Sequence, residues 1–320
     1  MQLKSNTASC SLPIFPDFIP FSTLDRDTYE SYISEYEPYS DYGYTSLYAW
    51  SRDKEHYISS LHGNLVLALQ DYKSEQKVIS FLGTNNVDTT ASALLDFVSK
   101  RDEFADELVL IPEVTAQLLS DSSLTVAEDI DNHDYILSTK HFVNLTGPGF
   151  AHTRRKISQF QRSYGAESQL MDIDLRDCES QAAIHKLAYE WAFMGTEGTI
   201  SAHEEIAAIK RLLKDIDTLN YKNNIHCFGL YIRGKLEGFC IYEIQKDFAV
   251  VHFIKANINS CGAADYMMVS TMRNILLVHN VTKVNHEQDL GIAGLRAAKK
   301  RYCPTAHLKK YTISEVAVCK

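Results

Sequence analysis

Hydrophobic and polar positions change period several times along the chain. Residues 1–21 follow no period, and Pro13, Pro16 and Pro20 break any helix there. Ser22 or Thr23 can cap a helix running to about residue 36. The stretch EYEPYSDYGYTSLYAW that follows interleaves tyrosine with acid. Acid repels phosphate, so an amphipathic packing layer between domains is expected there rather than a base-stacking surface. From His56 the pattern turns β-like. Short runs at 57–61, 65–69 and 78–81 read as strands, split by His62-Gly63-Asn64 and a polar turn. A helix at 89–100 carries Leu94, Leu95 and Val98 on its apolar side; a strand at 108–111, a helix at 113–119 and a strand at 135–137 complete the first half.

Residues 140–150 read as a connector ending in Gly147-Pro148-Gly149. Beyond it Ile157, Phe160 and Tyr164 form an apolar helical stripe, while Arg155, Gln159 and Arg162 point elsewhere. A strand is expected at 168–173, then helices at 178–194 and 202–219, the second capped by Ser201 with Glu204 at the capping-box position. Strands at 227–232, 236–244 and 249–256 make a meander that turns at Arg233-Gly234 and Lys246-Asp247. A helix at 263–279, a strand at 281–284, a helix at 291–302 and a strand at 308–318 end the chain. Both halves thus read β-β-β-α-β-α-β, the second with an extra strand and two helices in front. This order predicts a tandem repeat of one α+β unit, a mixed and mostly antiparallel sheet flanked by helices, with domains at 1–145 and 146–320. It is the order of the acyl-CoA N-acyltransferase fold. The first copy has no glycine loop after 78–81 and is expected to be degenerate.

A chain of 320 residues with 45% hydrophobic content can bury two cores. It contains no apolar run of 18 residues, and MQLKSNTASC at its start lacks a signal-peptide core, so a cytoplasmic protein without a membrane span is expected. The seven cysteines are scattered and form no CxxC, which fits a reducing compartment and argues against a disulfide framework. His185, His203, His226, His252 and His286 show no metal-like pairing on one helix, so no metal is expected. The net charge of -9 is unevenly spread: residues 1–145 hold 9 Lys and Arg against 23 Asp and Glu, residues 146–320 hold 23 against 18. Any polyanionic partner should therefore meet the second half.

Candidate chemistry gathers around NHEQDLGIAGLRAAKKRY, residues 285–302. Glu287 and Asp289 fall just past a predicted strand end, where either could serve as a base if burial raised its pKa. The alternative for Asp289 is to cap the helix that follows; for Glu287 it is an ion pair. His286 is a candidate ligand contact. Arg296, Lys299 and Lys300 lie three and four residues apart and share one helical face. Arg154, Arg155 and Lys156 begin a helix, where cations oppose the dipole and suggest an external anion. Glu243, near the end of the middle strand of the meander, is the third candidate base; it could equally pair with Lys255 on the neighbouring strand. Lys255 and Asn257 face one side of their strand and could hold a phosphate or a carbonyl. Gly262, Ala263 and Ala264 sit where a phosphate-binding turn would enter a helix, although Asn259 stands where such a turn usually has a longer side chain.

Four stretches together carry a family likeness: YTSLYAWSR (44–52), GPGFAHTRRKISQFQRSYG (147–165), VHFIKANINSCGAADYM (251–267) and VNHEQDLGIAGLRAAKKRYCP (284–304). The chain resembles soluble bacterial proteins related to the C-terminal domain of phosphatidylglycerol lysyltransferase over most of residues 20–315. The resemblance implies two tandem acyltransferase-like units and transfer of an acyl or aminoacyl group, with aminoacyl-tRNA or an acyl-CoA as donor. The membrane-bound members move an aminoacyl group from tRNA to a lipid hydroxyl. Those enzymes carry a large membrane-embedded region, and they place an acid and an arginine near the strand where this chain has Lys255 and Asn257. Their catalytic residues are therefore not carried over, and the acceptor is left open. Two other readings stay open: an acetyl-CoA-dependent N-acetyltransferase, and a non-enzymatic module that binds RNA or protein. The last requires Glu243, Glu287 and Asp289 to be solvent-exposed.

Overall fold

A computed structural model describes residues 12–51, 56–70, 76–194 and 202–316. Its strands are β1 (Ile19–Pro20), β2 (Tyr57–Leu61), β3 (Asn64–Gln70), β4 (Lys77–Leu82), β5 (Phe104–Pro112), β6 (Leu124–Glu128), β7 (Asp134–Ser138), β8 (Ser168–Asp172), β9 (Ile225–Ile232), β10 (Lys235–Gln245), β11 (Phe248–Ala256), β12 (Lys283–Asn285), β13 (Ala306–Leu308) and β14 (Lys310–Glu315). Its helices are α1 (Arg26–Ile33), α2 (Tyr44–Trp50), α3 (Val87–Val98), α4 (Glu113–Ala116), α5 (Thr139–Asn144), α6 (Ala151–Tyr164), α7 (Cys178–Met194), α8 (Ala202–Lys214), α9 (Ile216–Leu219), α10 (Ala263–His279) and α11 (Ala293–Arg301). The cap expected at Ser201 lies outside the described residues. The cap of α1 falls on Asp25, whose side chain accepts from the Thr28 amide, rather than on Ser22 or Thr23.

The strands form two seven-stranded sheets with one order. The first runs β1-β2-β3-β4-β5-β14-β6; the second, read the same way, runs β8-β9-β10-β11-β12-β7-β13. In each, the fourth and fifth strands are parallel, β4 with β5 and β11 with β12, joined through a helix on one face. The chain is thus a tandem pair of acyl-CoA N-acyltransferase-like units. The sixth place of each sheet, however, is filled from the other half of the sequence, β14 in the first and β7 in the second. The boundary expected between residues 145 and 146 is corrected accordingly. One unit is Met1–Tyr36, Asp53–Glu128 and Tyr311–Lys320, the other Glu37–Arg52 and Asp129–Lys310. Hydrophobic period identifies a strand but not its partner, so the exchange leaves no mark in the pattern. The tyrosine-rich segment expected between domains belongs to the second unit, where Tyr39 and Tyr42 are buried and α2 lies on the core.

In the first unit α3 sets Val87, Ala91, Leu94, Leu95 and Val98 against Val66, Ile79, Phe81 and Leu108 of the sheet. The sheet of the second unit is covered on both faces. Leu230, Cys240, Tyr242 and Val251 meet residues of α5, α6 and α10; Cys227, Phe239, Ile241 and Phe253 meet residues of α2, α7, α8 and α9. On β9 and β10 the two sets follow the two-residue alternation of strands; on β11, Val251 and Phe253 fall on opposite faces.

A fully buried ammonium ties the second unit together. Lys310 Nζ contacts Asp41, lies 2.9 Å from Asp134 Oδ1 and donates to Gln288 Oε1 at 2.6 Å. Asp134 also accepts from the Ser40 amide at 2.7 Å and from Asn285 Nδ2 at 3.0 Å. Burial opposes the charge on Lys310, but Asp134 and Asp41 outweigh it and raise its pKa. Lys310→Met leaves two buried carboxylates without a cation; the expected cost is about 3–5 kcal/mol in urea unfolding at pH 7. A cost below about 1 kcal/mol would show that the network is not a determinant of stability.

Candidate active site

The polar groups of the second unit are positioned by an irregularity in the β10–β11 hairpin. Ile241 pairs with Phe253 and Tyr242 with Val251, so His252 is an extra residue on β11. This bulge lets His252 and Phe253 both face α2, where strict alternation would allow only one of them. His252 Nε2 lies 3.2 Å from Glu243 Oε2, and His252 Nδ1 lies 3.3 Å from both Glu287 Oε1 and Ser46 Oγ. Asn224 Nδ2 and Gln245 Nε2 donate to Glu243 at 2.8 and 3.0 Å. Glu243 is wholly buried, His252 is 6% exposed, and the Glu287 side chain keeps 20% exposure. An imidazole between two carboxylates, one buried and one reaching solvent, is an arrangement that can pass a proton inward or outward.

Glu287 is delivered by the divergence of two strands. β11 and β12 pair only at Phe248–Lys283, Ala249–Val284 and Val250–Asn285; β11 then continues to Ala256 while the other chain turns away. Glu287 has φ 56°, held by its amide donating to Asn285 Oδ1 at 2.7 Å and by its carbonyl accepting from the Tyr135 amide at 3.2 Å. The buried Lys299 ammonium donates to the carbonyl of His286. Burial brings Lys299 down to about 8, against the pull of Glu287, Asp134 and Asp289. Burial, with Lys299 and Lys255 nearby, also pushes His286 well below the usual imidazole range, so its ring is neutral at pH 7. Among the described residues none is a hydrogen-bond partner of His286 Nδ1.

Asp289 is taken up by other contacts. Arg296 Nε and Nη2 form a two-pronged pair with its carboxylate, both at 2.8 Å, and Tyr135 OH donates to it at 2.5 Å. Burial pushes its pKa up; the hydrogen bonds from Arg296, Tyr135 and the Gly291 amide outweigh this and hold it low. Arg296 also reaches Asp131 at 2.6 Å, and burial with the Asp289 bond raises Tyr135 to about 12. Asp289 therefore anchors the loop rather than standing ready as a base. Nor does it cap a helix at Gly291, since α11 begins at Ala293 behind Ile292.

The remaining sequence candidates scatter. Lys255 pairs with Glu205 at 2.7 Å and stands 3.8 Å over the Trp191 ring, so the pair considered between it and Glu243 does not form. Asn257 donates to Glu237 at 2.6 Å. Arg154 turns its guanidinium to the carbonyls of Leu145 and Gly147 at 2.5 and 2.8 Å. Arg155 and Lys300 are exposed and Lys156 is half-buried. Lys156 of α6 and Arg301 of α11 both act on Asp265, so the two basic runs come together in the fold. Gly262, at φ +81°, approaches the carbonyl of Lys156 so closely that a Cβ would lie 2.3 Å from it. Ala263 is buried and Ala264 exposed in the first turn of α10. Asp265, two residues further on, is 4% exposed and is pushed up by burial. Sequence reasoning missed Ser46, Tyr135, Asn224 and, above all, His252. A polar residue in the apolar run VVHFI was its only signal.

Among the described residues no cluster of His, Cys, Asp and Glu could hold a metal ion, and no helix is long and apolar enough to cross a membrane. A surface cleft is lined by Asp172, Arg176, Asn220 and His226. Its cation, Arg176, is already bound to Asp217, Asn220 and Asn223.

Residues 34–314 match the family described as phosphatidylglycerol lysyltransferase, C-terminal. The chain belongs to this family. Solved structures agree on the fold. A conserved protein of unknown function from Bacteroides thetaiotaomicron superposes with a TM-score of 0.76 at 21% identity, covering 96% of this chain and 100% of that one. L-PGS from Bacillus licheniformis gives 0.58 at 14% identity, covering 92% and 93%. The C-terminal domain of a proposed lysylphosphatidylglycerol synthetase from Agrobacterium fabrum gives 0.58 at 12%, covering 90% of each chain. Comparison with curated proteins finds no match.

In this lysyltransferase-family site Lys299 carries a testable cost. Its folded pKa of about 8 lies below the ordinary 10.5, so the folded state releases a proton first as pH rises. Stability contributed through this group is therefore lowest below pH 8 and rises until the unfolded chain also deprotonates. The expected gain between pH 8 and 10.5 is on the order of 3 kcal/mol relative to Lys299→Met, measured by urea unfolding of both proteins. Parallel curves for the two would refute the burial of a charged amine here.

Proposed function

We propose that this chain transfers an aminoacyl group from an activated ester, aminoacyl-tRNA, to a nucleophilic hydroxyl or amine. The observation that carries the reading is the Glu243–His252–Glu287 array at the point where β11 and β12 part. An aminoacyl ester is already activated, so positioning, removal of the nucleophile's proton and stabilisation of a tetrahedral oxyanion suffice. Glu287, the partly exposed end of the array, accepts the proton as the nucleophile attacks the carbonyl carbon. His252, backed by Glu243, holds the carboxylate in place and shares the added proton. Collapse of the tetrahedral intermediate expels the 3′-terminal ribose oxygen of the tRNA, which takes the proton back.

Family membership supports the reaction class, and two features favour tRNA over CoA as donor. The backbone at Gly262 is packed against α6, and Asp265 sets a buried carboxylate in the first turn of α10, where a pyrophosphate would seek amides and positive charge. The burial of Glu243 and Asp289 argues against the purely non-enzymatic reading. The exposed cations Arg155, Lys300 and Arg301 offer contacts for phosphates.

The test is to incubate the purified chain with a pool of labelled aminoacyl-tRNA, or with acetyl-CoA, and a small amine as acceptor. Label should leave tRNA and acetyl-CoA should be spared; consumption of acetyl-CoA alone, or of neither donor, would reject the proposal. Glu287→Gln, at the partly exposed end of the array, should fold normally and lose about 10²–10⁴-fold in turnover. Independently, the triple change Arg155→Ala, Lys300→Ala, Arg301→Ala should flatten the dependence of tRNA affinity on salt, by roughly 0.7–0.9 in log–log slope for each phosphate no longer neutralised. An unchanged slope would move the RNA-binding surface elsewhere.

A further inference from the structure

One hydroxyl beside the bulge has no part in the transfer mechanism. On α2, Ser46, Ala49 and Trp50 are spaced three and four residues apart and share one helical face. Ala49 is buried in the core of the second unit, and Trp50 packs near Phe253 with centroids 6.0 Å apart. That packing leaves Ser46 against the next residue of β11, His252, with Oγ 3.3 Å from Nδ1.

His252 Nε2 in turn lies 3.2 Å from Glu243 Oε2. Asn224 and Gln245 donate to one oxygen each of this wholly buried carboxylate. A carboxylate so enclosed needs donors around it, which assigns the proton of a neutral imidazole to Nε2. The Nδ1 lone pair then faces the Ser46 hydroxyl. Hydroxyl, imidazole and buried acid thus stand in the order that activates a serine, with the two ring nitrogens exchanged relative to the serine proteases. Glu287 Oε1 lies 3.3 Å from the same Nδ1, so it can accept from that nitrogen once it is protonated. It also brings partial exposure to the edge of the ring that Ser46 shares.

We propose that Ser46 is the nucleophile of a second activity, hydrolysis of oxygen esters of small carboxylic acids through an acyl-serine. Ser46 Oγ bonds to the ester carbonyl carbon while its proton passes to His252 Nδ1. The ester C–O bond breaks, and the alcohol leaves with that proton. Water then attacks the acyl carbon, giving a proton to Nδ1. The bond to Oγ breaks, the acid departs, and Ser46 regains the proton. Ser46 is 8% exposed, which suits a small acyl group. The activity shares His252 with transfer but needs no tRNA.

The test exposes the full chain to p-nitrophenyl acetate and, separately, to an alkyl fluorophosphonate. A burst of about one equivalent of p-nitrophenol per chain is expected before slower release, and peptide mass mapping should find both adducts on Ser46. Ser46→Ala should abolish the burst and both adducts and slow steady release by about 10²-fold or more. Ser46→Cys should carry the acetyl group as a thioester that neutral hydroxylamine removes. Ser51→Ala, whose hydroxyl bonds the Tyr48 carbonyl at 2.8 Å, should match the wild type. Ester hydrolysis without an adduct, an adduct mapped to another residue, or no reaction with either probe overturns the proposal. Mapping on the wild type decides even if Ser46→Ala does not fold. Acyl-Ser46 can form whether or not aminoacyl-tRNA is a donor, and transfer from tRNA can stand without it.

Discussion

A single ammonium group without access to water organises the second unit. Lys310 draws together residues 40–41 before α2, Asp134 at the start of β7 and Gln288 beyond β12. An ammonium so enclosed is tolerable only if every donor finds an oxygen, so the network fixes these segments in one arrangement. The consequences reach the site by short steps. Asp134 holds Asn285, and Asn285 holds the amide of Glu287. Ser40 and Asp41 lead into α2, which sets Ser46 against His252. Asp41 itself is pushed up by burial, with Lys310 pulling down and Asp134 pushing up. The geometry of the Glu243–His252–Glu287 array is thus tied to an ion cluster that lies outside it.

The bulge at His252 does a different job. A regular β11 would place residues 252 and 253 on opposite faces, and either the imidazole or the Phe253 ring would be lost from the α2 side. The extra residue keeps both: Phe253 packs near Trp50, with centroids 6.0 Å apart, while His252 reaches the two carboxylates. Lys299, through the His286 carbonyl, and the Asp289–Arg296 pair hold the loop that carries Glu287. Glu287 is left as the site group that combines a fixed backbone with partial exposure.

Much of this fold could be read from periodicity. The meander, α7 and α10 lie where apolar spacing placed them, because each buries a continuous stripe. The edge strand β6 escaped notice, since LTVAE is short and mostly exposed, with only Leu124 and Val126 as large apolar residues. The exchange of β7 and β14 was invisible for a related reason: both are short, and their partners lie far away in sequence. The site was half legible. Glu243 and Glu287 stood out as acids near strand ends. His252 did not, because a bulge depends on registry between two strands rather than on either one. The basic runs misled in part, for charge in a sequence does not say whether a side chain faces an internal carbonyl, as Arg154 does, or solvent, as Arg155 does.

The two units share a strand order yet use their cores differently. In the first, β3 and β4 are buried almost throughout by Leu65, Val66, Leu67, Ile79 and Phe81, and their buried polar members, Asn64 and Ser80, are uncharged. Asn64 binds Asn85 and Thr90, which closes the turn into α3 with neutral hydrogen bonds. The corresponding strands of the second unit bury Glu243 and His252, and the segments around them bury Asp134, Asp289, Lys299 and Lys310. Burying ionisable groups costs stability even when they are paired. A duplicated scaffold can carry that cost in one copy while the other keeps an apolar core. The asymmetry of buried charge, more than any motif, distinguishes the copy that holds the candidate site.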